Sequence, residues 1–254
     1  MAENSSGKTI LITGASSGIG AALARAYARR GVTLLLWGRD EARLNETATQ
    51  CRALGATASV KSFDLRDVAG FVARLDAADT ASPIDLAIFN AGLGGTAAPD
   101  AFAEAPQTAQ AIAEVNFVAP VAGANAMANA MAKRGAGQIV LIGSISESYP
   151  LPMAPTYAAS KAGLRMFAEA LGLRLKKHGV MVSLVSPGFI DTPMSRKVTE
   201  PKPFLMDADK AARIIARKID ARARVIVVPW QFIVMRAVTD LLPRAIVRWV
   251  MSRA

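Results

Sequence analysis

The chain has 254 residues, one cysteine and a formal net charge of +10 at pH 7. This length suits a single α/β domain, and the lone Cys51 excludes a disulfide framework within the chain. The sequence shows neither the pattern of a signal peptide nor a run of 18 or more uncharged apolar residues. We therefore expect a cytoplasmic protein, or one that is held at a membrane surface.

The positive charge is concentrated toward the C-terminus. Residues 196–254 contain 13 Lys and Arg against 5 Asp and Glu, an excess of +8, whereas residues 1–195 have an excess of only +2. Nucleic-acid binders interleave basic residues with aromatic side chains on which bases stack, and this sequence lacks both that arrangement and any nucleic-acid motif. We expect no nucleic-acid partner.

Seven short apolar runs alternate with segments of helical length. Parallel strands need such long crossovers, and continuous apolarity is typical of strands that are covered on both faces. The pattern predicts one α/β domain over residues 1–228, followed by a basic, apolar extension over residues 229–254. The predicted strands are residues 8–12, 33–37, 57–61, 85–89, 138–142, 181–185 and 224–228.

A glycine-rich turn, TGASSGIG at 13–20, directly follows the first strand. Gly14 permits a tight turn, Gly18 lets the backbone approach a pyrophosphate, and Gly20 lets the next helix pack on the strand. The position between a strand and a helix favours a dinucleotide site over an ordinary turn.

The end of the second strand indicates which dinucleotide is bound. Proteins that bind NAD usually place an acidic residue there, whereas an arginine can pair with the 2′-phosphate of NADP. This chain has Gly38 followed by Arg39, and Asp40 is interpreted as the N-cap of the next helix. The sequence therefore favours NADP(H), with NAD(H) as the alternative.

Tyr157 and Lys161 lie four residues apart on a predicted helix, in the sequence YAASK. This spacing places both side chains on one helix face, where the cation is expected to lower the pKa of the phenol. Tyr157 would then act as general acid in carbonyl reduction and as general base in alcohol oxidation. A surface contact is the alternative for such a pair taken alone.

These motifs together resemble the short-chain dehydrogenase/reductase family. The likeness covers TGxxxGxG at 13–20, NAG at 90–92, the Tyr-Lys pair, and the PG segment SPGFIDTPM at 186–194. It implies one Rossmann-type, doubly wound domain with a seven-stranded parallel sheet in the order 3-2-1-4-5-6-7. The glycine-rich VDGG ending of many tetrameric members is missing, so the likeness does not imply their tetramer.

The resemblance also assigns roles to polar residues that are far apart in the sequence. Ser144 lies 13 residues before Tyr157, and Asn116 lies 28 residues before Ser144, as in the family. Ser144 would hydrogen-bond the substrate oxygen, and Asn116 would position a water that connects Lys161 to solvent. The alternatives are a turn serine and a helix-bending asparagine.

The remaining predicted contacts to the cofactor also follow from the resemblance. Asp64 would contact the adenine, although a turn or helix-capping aspartate is its alternative. Lys161 would bind the nicotinamide ribose, while the Ile190 backbone and the Thr192 hydroxyl would hold the carboxamide. The complete predicted cofactor set is Gly14, Ser16, Ser17, Gly18, Ile19, Gly20, Arg39, Asp64, Leu65, Asn90, Ala91, Gly92, Tyr157, Lys161, Pro187, Gly188, Ile190 and Thr192, and no metal site is predicted.

The sequence thus predicts an NADP(H)-dependent oxidoreductase that interconverts a carbonyl and a secondary alcohol. A catalytically inactive NAD(P)-binding regulator is the alternative. A substrate lid is predicted over residues 193–220, and the prolines and large apolar side chains of residues 193–206 favour a hydrophobic substrate. Helices around residues 109–134 and 154–177 are expected to build a homodimer.

The C-terminal extension leaves two interpretations open. Apolar residues recur at helical spacing, bordered by Arg236, Arg244, Arg248 and Arg253. Two short helices that pack on the domain would account for this pattern, as would a peripheral membrane contact through residues 230–254. The apolar residues concerned are Ile233, Val234, Ala237, Val238, Leu241 and Leu242, followed after Pro243 by Ile246, Val247, Trp249 and Val250.

Overall fold

A computed structural model describes residues 7–97, 101–198 and 201–243 of the chain. The first half alternates strands and helices along the sequence. Its elements are β1 (Lys8–Thr13), α1 (Gly18–Tyr27), β2 (Val32–Gly38), α2 (Glu41–Ala53), β3 (Thr57–Ser62), α3 (Val68–Ala81) and β4 (Leu86–Phe89).

The second half continues this alternation with longer helices. Its elements are α4 (Pro106–Ala113), a π-helical turn (Glu114–Val118), α5 (Ala119–Arg134), β5 (Gly137–Ile142), a 3₁₀ turn (Ile145–Ser148), α6 (Pro155–Arg174), β6 (Val180–Pro187), β7 (Ile190–Asp191), a 3₁₀ turn (Ser195–Lys197), β8 (Met206–Asp207), α7 (Ala208–Asp220), β9 (Val225–Val228) and α8 (Gln231–Leu241).

Seven strands form one parallel sheet in the order β3-β2-β1-β4-β5-β6-β9. This confirms the predicted fold class and strand order; the seventh strand is numbered β9 because the short β7 and β8 precede it and pair with each other. All four residues of β4 are buried, as expected for a strand that helices cover on both faces.

Apolar residues form one core on each side of the sheet. One core lies against α1, α2 and α7, where Tyr27 and Ile215 have no exposed surface. The other lies against α3, α5 and α6, and includes Trp37, Phe71 and Phe89 in edge-to-face contacts. Cys51 is buried in the first core, where a free cysteine packs as a small apolar side chain.

Helix starts follow the local sequence rules. Asp40 caps α2 by accepting a hydrogen bond from the backbone nitrogen of Arg43 at 3.0 Å, which confirms its predicted role. Asp207 likewise accepts from the backbone nitrogen of Lys210 at 2.8 Å at the start of α7.

The predicted lid range divides into two parts. Residues 208–220 form α7, whose apolar face is part of the core and whose Asp209 pairs with Arg25 of α1 at 2.5 Å. The remaining part of the predicted range begins after β7 and ends before β8, which pair through Ile190 and Met206, and its role as a lid stays a prediction.

The helical stretch Pro106–Arg134 is long and apolar enough to span a membrane by length and composition. Half of its most apolar window is buried inside the domain, and Met127 and Met131 of α5 are core residues. The stretch therefore matches a core helix of a folded domain.

The described part of the C-terminal extension, residues 229–243, packs on the domain, but not through the apolar face that the packing interpretation requires. Phe232 has only 1% of its surface exposed, whereas Ile233 and Val234 have 47% and 57% exposed. The predicted inward face is therefore wrong for these two residues. The cause is tertiary: the site that receives α8 accepts a single aromatic ring beside Gly188, where an added Cβ would lie 2.5 Å from Cδ2 of Phe232. The side chain of Val238 and the second predicted helix after residue 243 lie outside the described residues.

Candidate active site

The predicted cofactor turn joins β1 to α1 at the carboxyl edge of the sheet. Gly14 has a φ of +67°, and a Cβ at this position would lie 2.7 Å from the Cα of Ala91. A Cβ at Gly20 would collide with the carbonyl oxygen of Gly14, so the helix approaches the turn more closely than any side chain permits. The geometry therefore requires glycine at positions 14 and 20, as predicted.

The NAG segment ties the end of β4 to this turn. The Asn90 amide nitrogen donates to the carbonyl oxygens of Thr13 and Gly14 at 3.0 and 3.2 Å. The backbone nitrogens of Asn90 and Ala91 donate to the Thr13 hydroxyl at 3.0 and 3.1 Å. Asn90 and Ala91 thus brace the glycine turn, while Gly92 lies near Asn116 and Lys161.

Charged residues gather at the far end of the predicted cofactor groove. Arg39 is exposed after β2. Asp40 forms an ion pair with Arg43, with 2.6 Å between Nε and Oδ2, so its carboxylate is already bound and is not available to a ribose hydroxyl. Hydrogen bonds from Arg66, at 2.6 Å, hold the pKa of Asp64 below its ordinary value, and the charge of Arg39 acts in the same direction. Asp64 also accepts from the Arg66 backbone nitrogen at 3.0 Å, which agrees with the turn alternative, and its contact with the adenine stays a prediction.

Asn116 lies in the π-helical turn between α4 and α5 and is almost completely buried. Its Oδ1 accepts from the Leu93 backbone nitrogen at 2.7 Å, and its Nδ2 donates to the Leu93 carbonyl oxygen at 2.8 Å. π-helical turns inside α-helices are rare and frequently occur at functional sites. This turn fixes the Asn116 side chain beside Gly92, on the catalytic side of the sheet edge.

Lys161 is buried on α6 and donates from Nζ to the Ile142 carbonyl oxygen at 2.9 Å. Burial lowers its pKa to about 8, against an opposing effect of the Glu147 charge. Lys161 is therefore able to exchange a proton near neutral pH.

Tyr157 is half-buried, and the Nζ of Lys161 lies 5.7 Å from the centre of its ring. Burial raises the pKa of Tyr157, a hydrogen bond with the Ser144 side chain lowers it, and the Glu147 charge raises it. The predicted lowering by Lys161 is wrong for the protein without bound molecules: burial dominates, and Lys161 directs its ammonium at a carbonyl oxygen.

Ser144 follows β5 and begins the 3₁₀ turn of residues 145–148. Its Oγ accepts from the Ser146 backbone nitrogen at 3.2 Å, and its backbone nitrogen donates to Oε2 of Glu147 at 3.2 Å. This capping box fixes the backbone that presents the Ser144 hydroxyl to Tyr157.

The PG segment after β6 faces the glycine turn. The Gly188 backbone nitrogen donates to the Val228 carbonyl oxygen at 2.8 Å, and a Cβ at Gly18 would lie 3.1 Å from the Thr192 methyl group. Ile190 is buried in β7. The structure thus brings the predicted residues of the glycine turn, NAG and PG segments together along one edge; Leu65, in contrast, packs in the core near Phe71.

Sequence reasoning missed two charged residues at this site, Glu147 and Arg236. The Ser144-x-x-Glu147 spacing was a readable capping signal. Arg236 had no readable signal for this contact, because its partner Glu147 is 89 residues away in the sequence.

A wide cavity of about 820 Å³ opens on the outer side of the same loop, lined by Tyr149, Arg165 and Met166 among others. Neither Tyr157 nor Lys161 lines it, so it is distinct from the face of α6 that carries these two predicted catalytic residues. Within residues 7–97, 101–198 and 201–243, no group of three or more His, Cys, Asp or Glu is arranged to hold a metal ion.

Fold and site together define a Rossmann-type protein with the side chains of a nicotinamide-dependent oxidoreductase. The model of the short chain dehydrogenase family matches residues 8–203, and the chain therefore belongs to that family of oxidoreductases. The predicted resemblance is confirmed.

Individual relatives agree with this assignment. The chain is 35% identical over 202 residues to the ketoacyl reductase HetN of Nostoc sp., covering 77% of this chain and 69% of that protein. It is similar to the short-chain dehydrogenase of Sphingobium yanoikuyae in complex with NADPH, with a TM-score of 0.80, 28% identity, and coverage of 94% and 97% of the two chains. It is also similar to the bulky-bulky ketone specific alcohol dehydrogenase of Comamonas testosteroni, with a TM-score of 0.77, 30% identity, and coverage of 94% and 96%.

Proposed function

We propose that the protein is an NADP(H)-dependent reductase of hydrophobic ketones that also oxidises the corresponding secondary alcohols. One observation carries the proposal: Tyr157 and the buried Lys161 lie together on α6, with Nζ 5.7 Å from the ring centre, and α6 contacts the turn that follows Ser144, at the sheet edge that also holds the glycine turn. A binding regulator has no need of this constellation, which argues against the inactive alternative.

The proton chemistry follows from the site. The hydroxyls of Ser144 and Tyr157 both donate to the carbonyl oxygen of the substrate, and the phenol transfers its proton as charge develops on that oxygen. A nicotinamide held at the glycine turn would supply the hydride for reduction of the carbonyl carbon and would take it up in oxidation. Lys161, with a pKa near 8, returns a proton toward the phenolate, and Asn116 fixes the backbone at Leu93 beside this path.

The glycine turn fits a dinucleotide, because Gly14 and Gly18 have φ values of +67° and +55°, and Gly18, the first residue of α1, has no side chain between its backbone and a phosphate. Arg39 would hold the 2′-phosphate of NADP(H), while Asp40 is occupied by Arg43. The NADPH complex of the Sphingobium yanoikuyae relative supports this choice over NAD(H).

The substrate class rests on the apolar surface around the lid. Met194, Phe204 and Leu205 have 41%, 53% and 51% of their surface exposed. Side chains of this type bind apolar groups on either side of a carbonyl, and the named activities of the ketoacyl reductase and the bulky ketone dehydrogenase agree with such a substrate.

Tyr157→Phe tests the reaction. The variant removes only the hydroxyl, so kcat/KM for an aromatic ketone with NADPH should fall at least about a thousandfold, since proton transfer and a substrate hydrogen bond are both lost. The dissociation constant of NADPH, measured by fluorescence quenching, should change less than about threefold. Retained ketone reduction in Tyr157→Phe would contradict the proposal.

The chain would act as a cytoplasmic homodimer. Met166 and Leu173 on α6 have 67% and 69% of their surface exposed, and Val118, at the junction with α5, has 43% exposed. Burial of these residues against a second copy would give α5 and α6 an apolar dimer interface.

The exposed side of α8 and the preceding Trp230 would bind anionic lipid at the cytoplasmic surface of a membrane. Trp230, Ile233, Val234 and Leu241 have 66%, 47%, 57% and 85% of their surface exposed. The excess of +8 in residues 196–254 complements an anionic surface, which attracts basic segments within about a Debye length.

Co-sedimentation with vesicles tests the lipid contact. The full chain should sediment with phosphatidylserine vesicles more than with phosphatidylcholine vesicles, and 0.5 M salt should weaken binding because screening shortens the electrostatic range. The double variant Ile233→Ser with Val234→Ser should reduce sedimentation, as both side chains lie on the outer side. Equal sedimentation of the full chain with both lipids would reject the contact.

A further inference from the structure

Glu147 is a carboxylate whose side chain is completely buried beside the proposed catalytic residues. Three donors from three parts of the fold reach it. The Ser186 hydroxyl of β6 donates to Oε1 at 2.7 Å, Arg236 Nη1 of α8 donates to Oε1 at 3.0 Å, and the Ser144 backbone nitrogen donates to Oε2 at 3.2 Å. Through one side chain, the serine loop is connected to the C-terminal helix.

The surrounding backbone is shaped to admit this carboxylate. Gly143 precedes Ser144, and a Cβ there would lie 2.5 Å from Oε2 of Glu147. The Gly143 backbone nitrogen donates to the Val185 carbonyl oxygen at 2.7 Å, so the main chain has little freedom to withdraw. Only glycine therefore lets the carboxylate lie directly beneath the end of β5.

A buried carboxylate is unfavourable unless a cation and hydrogen bonds compensate it. Burial raises the pKa of Glu147, and Ser186, the Ser144 backbone, Arg236 and Arg165 oppose that rise. Arg236 has only 17% of its side chain exposed, so water screens the pair weakly. If Arg236 were lost, Glu147 would take up a proton or turn toward water, and either change would weaken its hydrogen bond with the Ser144 backbone nitrogen.

The charge of Glu147 also reaches the proton-transfer groups. It raises the pKa of Tyr157 and that of Lys161, which both lie on α6. The charged and titratable groups that face Glu147 are thus Arg236 from α8 and Arg165, Tyr157 and Lys161 from α6. A change at Glu147 should therefore be visible in the pH profile as well as in the rate.

We propose that Glu147 and Arg236 form a positioning pair, through which the C-terminal helix holds Ser144 in its catalytic orientation. The proposal rests on the proposed function, because Ser144 is the residue that is positioned. It gives α8 a role in turnover in addition to its packing.

Arg236→Gln is the principal test, made in the full chain with an aromatic ketone and NADPH. We expect kcat/KM to fall at least tenfold, mainly through kcat, with the dissociation constant of NADPH within twofold of the unaltered protein. Arg236→Lys should recover most of the loss because it retains the cation. Arg74→Gln is the matched control. It breaks the ion pair between Arg74 of α3 and Asp67, which is more exposed than the pair of Arg236 with Glu147, and it should leave kcat/KM unchanged.

Glu147→Gln gives the second readout. Removal of the negative charge should lower the pKa of Tyr157, so the acidic limb of the kcat/KM profile for alcohol oxidation should move to lower pH. A purely structural role for Glu147 would lower activity at every pH without moving the limb. An unmoved limb would therefore remove the proposed link to the proton-transfer groups.

Hydrogen exchange of the protein without substrate separates this proposal from the proposed function. Peptides that cover residues 143–149 should exchange at least tenfold faster in Arg236→Gln than in Arg74→Gln, while β1 peptides should be unchanged. If the unaltered protein reduces no ketone but this exchange difference is present, the proposed function fails and the positioning pair stands. Unchanged exchange together with unchanged kcat/KM in Arg236→Gln would overturn the positioning pair, as would equal loss of NADPH binding and activity.

Discussion

At the scale of single residues, burial sets the direction of the pKa shifts at the proposed catalytic centre. Burial penalises the phenolate of Tyr157 and the ammonium of Lys161, and so it raises one pKa and lowers the other. The helical spacing correctly brings the two side chains together, but spacing carries no information on how much water remains around them. The sequence therefore could not determine whether the pKa of Tyr157 is raised or lowered.

Arg39→Asp should reverse the preference between cofactors. The substitution removes the guanidinium that would pair with the 2′-phosphate and introduces a carboxylate that accepts from a ribose 2′-hydroxyl. We expect kcat/KM with NADPH to fall about a hundredfold and kcat/KM with NADH to rise, as measured by initial rates with one ketone.

Arg30→Asp is the control for this change of charge, because Arg30 is exposed at the opposite end of β2. It should leave the ratio of the two kcat/KM values unchanged. An unchanged ratio in Arg39→Asp would refute the assignment of Arg39 to the 2′-phosphate.

At the scale of elements, α8 connects the PG segment, the lid and the serine loop. Phe232 contacts Phe189 and Phe204, with ring centres 6.3 and 5.7 Å apart, and Arg236 reaches Glu147 one turn later. Among the described side chains of α8, Phe232 and Arg236 make these contacts with the domain, whereas Ile233 and Val234 are exposed. The loops that border the proposed substrate site are held together by these two contacts.

Phe232→Ala should lower the free energy of unfolding by about 3 kcal/mol, because it leaves a cavity between Gly188 and Phe204. Urea unfolding followed by circular dichroism measures the change. Ile233→Ala is the matched control on the same helix, and its exposed side chain should contribute less than about 1 kcal/mol. A similar loss in both variants would mean that Phe232 does not anchor α8.

At the scale of the whole molecule, the parallel sheet determines where chemistry is possible. Every strand of the main sheet points the same way, so the loops that follow β1, β4, β5 and β6 meet at one edge. Ligands in open α/β sheets bind at this edge, and the folding of the domain buries Lys161 there. Burial of this charge lowers the free energy of unfolding of the whole domain.

Stability should therefore depend on pH through Lys161. Its pKa is about 8 in the folded protein, against 10.5 as the reference for the unfolded chain. Between these values the unfolded chain binds more protons, so the free energy of unfolding rises with pH and the destabilisation is greatest below pH 8. Relative to Lys161→Met, the unaltered protein should gain about 3 kcal/mol from pH 7 to pH 11, as measured by urea unfolding. A constant difference across this range would contradict the lowered pKa.

The sequence alone determined the fold class, the glycine turn and the family, and the strand order followed from the family resemblance. Each depends on local patterns, namely the alternation of apolar runs with helical segments, the glycines at 14, 18 and 20, and the Tyr157–Lys161 spacing. Tertiary structure decided which face of α8 is buried, the direction of the Tyr157 pKa, and the pairing of Glu147 with Arg236. These features depend on burial and on contacts between residues far apart in the chain, because the energy of a charge or an aromatic ring is set by its neighbours in space.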